Sequence, residues 1–131
     1  MIKVNHLDNR IFLKGATKDV PNDVLKHADI FAFPSSAEGF GLALAEGMSA
    51  GLPAVGYKSC NGVNELIKDG KTGILCDDGV EPLTQALDKL MGDKELRVQM
   101  GKAAKADMAQ FAPEKIWDQW EELMEKVIKE K

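Results

Sequence analysis

Pro34-Ser35-Ser36-Ala37-Glu38-Gly39-Phe40-Gly41-Leu42-Ala43-Leu44-Ala45-Glu46-Gly47-Met48-Ser49-Ala50-Gly51-Leu52-Pro53 is the stretch on which the reading of this chain turns. It reads as strand end, loop and helix. Asp29 to Phe33 is a short β-compatible apolar run, and Pro34 with Ser35-Ser36 punctuates it. Leu42-Ala43-Leu44-Ala45 then opens a helix-forming stretch that Gly51 and Pro53 stop. Gly39 and Gly41 sit where that helix begins. A helix start presents unpaired backbone N–H groups and the positive end of the helix dipole, and glycines let a ligand approach the backbone, so the turn suits a phosphate or diphosphate. Glu38 precedes the helix and Glu46 lies inside it. Carboxylates cannot hold phosphate; they suit the hydroxyl groups of a ribose or hexose. A glycine-rich strand-to-helix turn also arises for packing alone, and a helical Glu is commonly a solvated side chain, so spacing by itself leaves both readings open.

Outward from this segment, strands alternate with helices. Ile11-Phe12-Leu13, ending at Lys14-Gly15, reads as a short buried strand and turn. Val20, Val24, Leu25 and Ala28 recur at helical spacing, with Pro21 and Asn22-Asp23 at the helix entry, which predicts one helix over 20–28 ending at His27. Pro53-Ala54-Val55-Gly56-Tyr57 reads as a buried strand, Cys60-Asn61-Gly62-Val63-Asn64 as a loop, Glu65 as the cap of a short helix to Lys68, and Ile74-Leu75-Cys76 as the last strand. The economical architecture is a partial Rossmann-like parallel sheet of about four strands flanked by helices, over residues 10–76. Ligands of such sheets bind beyond the carboxyl ends of the strands, where Glu38 to Gly41 would lie.

Residues 81–131 read as a helical part of the same domain. Leu83, Ala86, Leu87, Leu90 and Met91 form one helical set closed by Gly92; Leu96, Met100, Ala103, Ala104, Met108 and Phe111 form a second, in which Gly101 is a weak point. Pro113 starts a third helix with a wide apolar stripe of Ile116, Trp117, Trp120, Leu123, Met124, Val127 and Ile128. Core packing is the first explanation of such a stripe.

With 131 residues, 44% hydrophobic and 29% charged, the chain is long enough for one domain with a real core. Its net charge of −4 provides no global field for nucleic acid or anionic membrane. There is no apolar run of membrane-spanning length, and Met1-Ile2-Lys3-Val4 is not followed by the apolar core of a signal peptide, so a cytoplasmic location is expected. Fifteen residues separate Cys60 and Cys76, which lie far from His6 and His27 in sequence and lack zinc-ligand spacing; both are read as reduced thiols, a disulfide being open only if the two approach in the fold.

From Asn9 to about Phe111 the chain resembles the C-terminal, nucleotide-sugar-binding lobe of the family-4 (group 1) retaining glycosyltransferases of the GT-B fold. The residues that carry this are Pro34-Ser35 with Glu38-Gly39-Phe40-Gly41, seven residues between Glu38 and Glu46, Gly51-Leu52-Pro53-Ala54-Val55, Glu65-Leu66-Ile67-Lys68-Asp69-Gly70 and Gly73-Ile74-Leu75. The resemblance implies transfer of a sugar from a UDP- or GDP-linked donor to an acceptor hydroxyl with retention, and no cofactor. Glu38 is then the catalytic position, holding donor-sugar hydroxyls. Gly39, Phe40, Gly41 and Leu42 offer backbone N–H groups to the leaving diphosphate, and Glu46 accepts from the ribose. Lys14, Gly15, Ser35, Asn61, Gly62 and Glu65 are weaker contact candidates. No Asp-x-Asp pair is present, which favours a site without metal.

The family usually carries a pair of glycines before the next Glu, where this chain has Asn61-Gly62-Val63-Asn64-Glu65. The resemblance also starts partway into the lobe, so the expectation is a fragment, a split subunit or a truncated product, inactive alone. Its strands would be left with unpaired edges, and Trp117, Trp120, Met124 and Ile128 would seek a missing lobe, partner subunit or second copy. In the parent enzyme the location would be cytoplasmic, or peripheral at the inner face of the membrane. The competing function is a non-catalytic assembly module derived from such a lobe.

Overall fold

The computed structural model describes residues 2–130. Three parallel strands, β1 (Phe31–Phe33), β2 (Ala54–Tyr57) and β3 (Gly73–Cys76), lie in sequence order. Phe31 is in register with Ala54, and Val55 with Ile74. The helices are α1 (Val20–Asp23), α2 (Leu42–Ser49), α3 (Asn61–Asn64), α4 (Val80–Gly92), α5 (Lys94–Met108) and α6 (Pro113–Lys129).

Side chains alternate across a strand, so the short sheet serves two cores. On one face Phe31, Phe33, Ala54 and Leu75 pack with Leu44, Ala45 and Met48 of α2, with Cys60, Val63, Leu66 and Ile67 around α3, and with Ala104 and Met108 of α5. On the other, Val55, Ile74 and Cys76 pack with Ala86 and Leu90 of α4 and Met100 of α5. The α5 helix thus contributes to both. Cys60 and Cys76 are free, buried and in different cores, in keeping with two reduced thiols. Burial in apolar surroundings pushes the Cys76 thiol up from its ordinary value of 9.0.

Asp93 joins α4 to α5 without a loop: it is the C-cap of the first helix and the N-cap of the second, its Oδ1 accepting from Leu96 N at 2.9 Å. Arg97 Nη1 donates to the carbonyls of Leu90 and Met91 at 2.7 and 3.0 Å, satisfying the end of α4. Gly101, the expected weak point, is where α5 crosses the end of α2. A Cβ there would lie 2.2 Å from the Gly51 carbonyl oxygen.

Four expectations need correction. Among the described residues there are three strands rather than about four, because Ile11, Phe12 and Leu13 do not join the sheet and are 43, 66 and 86% exposed. An apolar run becomes a strand only where a ladder partner faces it. The 20–28 helix breaks at Val24 (φ −124°, ψ −62°), leaving the single turn α1 and a 3-10 turn at Leu25–His27. Asp19 caps α1, accepting from Asn22 N, while Leu25 alone is buried. Residues 61–64 are helical rather than loop, so Glu65 is the C-cap of α3 and starts no helix to Lys68.

The α6 stripe is likewise not core. No residue of that helix is buried, Trp117 is 71% exposed and Trp120 54%, and its packing is with the Ala109–Phe111 turn. No helix among the described residues is long and apolar enough to cross a membrane.

Candidate functional site

The chain leaves the carboxyl end of β1 at Pro34 and folds over the sheet before entering α2. Ser35 N donates to the Phe33 carbonyl at 2.9 Å, which turns the chain sharply. The Ser35 hydroxyl then donates to Glu38 Oε1 at 2.7 Å, and both side chains are part-buried. Glu38 is therefore held within its own loop.

Gly41 is the N-cap of α2 in the left-handed region (φ 77°, ψ 52°), a conformation that favours glycine. A Cβ there would come within 3.1 Å of the Gly62 carbonyl oxygen. Gly39 differs, since open space surrounds its Cβ position. Of the two glycines the sequence singled out, Gly39 leaves the backbone open to a ligand and Gly41 admits a turn and a neighbouring chain. The first turn of α2 has no side-chain cap and contains no acidic residue, so no capping side chain occupies its N–H groups.

The start of α3 comes from the carboxyl end of β2 and closes on this loop. A Cβ on Gly62 would lie 2.8 Å from both Cβ and the carbonyl oxygen of Glu38. The structure thus brings Ser35, Glu38, Gly41 and Gly62 together. Asn61 stands exposed beside Gly62, and Asn64 Nδ2 donates to the Lys58 carbonyl at 2.8 Å, tying α3 to the end of β2.

On the other side of the loop, Leu42 and Glu46 lie one turn apart on the exposed face of α2. With Phe40, Pro21, Leu25, Ser49 and Phe111 they line a hollow of about 580 Å³. The Phe40 ring meets Phe111 edge-on at 5.2 Å between centroids, fixing one wall. Pro21, Leu25 and Phe111 were not among the residues expected from the sequence. Phe111 is remote in the chain and shares no motif with the loop, so only the fold reveals it.

Lys14 and Gly15 are exposed and do not line this hollow; Lys14 Nζ lies 5.8 Å from the centre of the Phe12 ring. Glu65 is exposed at the end of α3. Beyond β2 and β3, Lys58 Nζ meets Asp77 Oδ1 at 2.5 Å and Ser59 donates to Asp78 at 2.6 Å. That hydrogen bond to Asp77, with its charge, raises the Lys58 ammonium above its usual value.

Comparison with known proteins converges on one family. The family model described as "Glycosyl transferases group 1" matches residues 1–107. N-acetyl-alpha-D-glucosaminyl L-malate synthase of Bacillus anthracis is 33% identical over 99% of this chain, which spans 34% of that protein. HepE of Anabaena, solved with UDP and glucose, superposes with a TM-score of 0.85 at 27% identity, over 95% of this chain and 34% of HepE. The C-terminal domain of LpcC, a group 1 family glycosyl transferase of Francisella tularensis, superposes with a TM-score of 0.70 at 26% identity, covering 85% of this chain and 57% of that one. The chain spans about a third of the length of the first of these relatives. By family match and by fold, it belongs to the group 1 glycosyl transferases of GT-B architecture.

Proposed function

We propose that this chain is the donor-binding part of a retaining glycosyltransferase and takes a nucleotide sugar at the carboxyl edge of its sheet. The observation that carries this reading is the placement of Glu38, open Gly39 and the uncapped first turn of α2 beside the hollow containing Glu46. The diphosphate is received by N–H groups between Gly39 and Leu42, and Glu38 accepts hydrogen bonds from donor-sugar hydroxyls as the catalytic carboxylate. Charge developing on the leaving nucleoside diphosphate meets fixed N–H dipoles rather than a mobile ion. Glu46 accepts from the ribose, with Phe40, Leu42 and Leu25 as the apolar wall beside it. Asn61 and Gly62 border the sugar side. Lys14, Gly15 and Glu65 stay the weaker contact candidates; Lys14 and Gly15 do not line the hollow, and Glu65 is exposed at the end of α3.

HepE was solved with UDP and with UDP-glucose, which supports a uridine-linked donor here. The test is an NMR titration of the chain with UDP, GDP, ADP and their glucose or mannose conjugates, followed at residues 38–46. Saturable shifts for one nucleotide are expected, and Glu46→Ala should weaken its binding about tenfold, the scale of a hydrogen bond to a charged group at an exposed position. A folded chain that responds to none of these ligands would refute the proposal.

A second reading has its own support in α6. A helix of seventeen residues with none buried and two exposed tryptophans is the surface through which this domain meets another lobe or subunit. On this reading the isolated chain self-associates through Trp117, Trp120, Met124 and Ile128 and transfers no sugar alone. Sedimentation of Trp120→Glu decides it: the variant should be monomeric where the parent associates, and a parent that is monomeric at all concentrations removes the reading.

A further inference from the structure

We infer that Ser35 is a positioning residue for Glu38, acting on the donor sugar through that carboxylate rather than touching the donor itself; the inference rests on the donor-site reading above. Glu38 sits in a loop between β1 and α2, outside any helix or strand that would fix its side chain. An unrestrained Glu samples many rotamers and would have to lose that freedom on meeting a substrate. One contact restrains the carboxylate beforehand, and a second closes on the base of the residue. The Ser35 hydroxyl donates to Oε1 at 2.7 Å, and Gly62 packs against Cβ and the carbonyl oxygen of Glu38 so closely that no side chain fits between them.

The direction of the hydrogen bond matters. Ser35 has one hydroxyl proton, and the carbonyl of Ala37, its other neighbour, is farther away at 3.3 Å. With the proton directed to Oε1, that oxygen is occupied, whereas Oε2 has no hydrogen bond from the described residues. The loop therefore presents a carboxylate with one oxygen anchored and the other ready to accept from a sugar hydroxyl. A carboxylate held in this way meets its ligand with less ordering left to do, which is how neighbouring groups preorganise a site. The one proton of the Ser35 hydroxyl is committed to this bond. The role we assign to Ser35 is support of Glu38, in place of a donor contact of its own.

Two measurements on the whole chain test this. Without ligand, NMR scalar couplings of the Glu38 Cβ and Cγ protons should show one rotamer in the parent and in Ser35→Thr, and rotamer averaging in Ser35→Ala. With ligand, Ser35→Ala should weaken UDP-glucose binding about fivefold, the scale of one hydrogen bond, and leave UDP binding unchanged. Ser35→Thr should restore the parent affinity. The double variant Ser35→Ala/Glu38→Ala should bind UDP-glucose no more weakly than Glu38→Ala, because Ser35 has nothing to act through once the carboxylate is gone.

Averaged Glu38 couplings in the parent, or unchanged couplings in Ser35→Ala, would overturn the inference. So would an equal loss of UDP and UDP-glucose binding, since that marks a general structural defect. A parent that binds neither ligand yet shows a fixed Glu38 released by Ser35→Ala would instead refute the donor-site reading and leave the anchor itself standing. Should Ser35→Ala not fold, Ser35→Cys, close in size but a weak donor, gives the same two readings.

Discussion

Gly101→Ala sets helix propensity against packing, and the structure says which prevails. Replacing a mid-helix glycine by alanine favours the helix by about 0.8–1.0 kcal/mol, so a reading of α5 alone expects a more stable protein. The added Cβ, however, would lie 2.2 Å from the Gly51 carbonyl oxygen, 3.2 Å from its carbon and 3.4 Å from Pro53 Cδ. The first distance is roughly 1 Å short of ordinary contact, and the obstacle is backbone. Gly51 has little room to yield: its φ is +88°, its N–H donates to the Met48 carbonyl, and the next N–H donates to that of Gly47. Relief requires α5 to lift off α2, loosening Met48 and Ala104, both 0% exposed, and Met100 and Met108. Overpacking of this kind costs about 1–3 kcal/mol, and a backbone clash belongs at the upper end. Subtracting the helix gain leaves a net loss of about 2 kcal/mol, or about 1 M in the urea midpoint followed by circular dichroism. Gly92→Ala is the matched control. Also in a helix, Gly92 has open space at its Cβ, and the substitution should be neutral or stabilising by up to about 1 kcal/mol. A Gly101→Ala protein as stable as the parent would refute the packing argument.

Other substitutions probe the loop and the cores. Gly62→Ala should displace Glu38 and weaken UDP-glucose binding more than UDP binding, read by calorimetric titration of both ligands; equal affinities would show that the loop yields freely. Gly41→Ala must hold φ near 77° or rebuild the entry to α2, costing roughly 1–2 kcal/mol, measurable as a lowered Tm. At alkaline pH, folding keeps the Cys76 thiol protonated after the unfolded chain has begun to lose its proton, since its folded value is raised above 9.0. Stability should therefore fall as pH rises through about 9, with a slope of at most about 1.4 kcal/mol per pH unit from this group, and Cys76→Ala should flatten that slope in urea titrations at pH 7 to 10. The Lys58–Asp77 pair acts in the same sense at still higher pH, its contribution being lost as pH rises through the raised lysine value.

Much of the centre of the molecule was legible because local signals and tertiary contacts agree there. Pro34 to Pro53 carries its own punctuation, β1 and β2 lie within the expected apolar runs, and β3 exceeds its run only by Gly73. Ile11-Phe12-Leu13 failed because β-character is a property of pairing, and these residues face no ladder. The 20–28 segment repeats apolar residues at helical spacing, but with only Leu25 buried no face existed to hold the helix together beyond one turn. At 61–64 the glycine and two asparagines suggested loop, yet Val63 is wholly buried and draws the turn into helix against β2. The strand-to-helix turn that carries Glu38, Gly39, Gly41 and Glu46 was readable from spacing, while their assignment to a sugar donor came from the family resemblance. The anchor from Ser35, the fit of Gly62 under Glu38 and the wall from Phe111 were not readable, because each depends on where a separate element is set down.

The position of α5 across both cores has a consequence for how the protein opens. Its first half supplies Met100 to one side of the sheet and its second half Ala104 and Met108 to the other, while Asp93 leaves no slack before it. Neither side can be exposed to solvent without dragging on the same helix. Amides of β2, sandwiched between the two layers, should therefore exchange with deuterium only through global unfolding, while those of α1 and α6 exchange through cheap local fluctuations. The loop carrying Glu38 is rooted in the slow-exchanging part, so the proposed anchor should hold until the sheet and α5 open together.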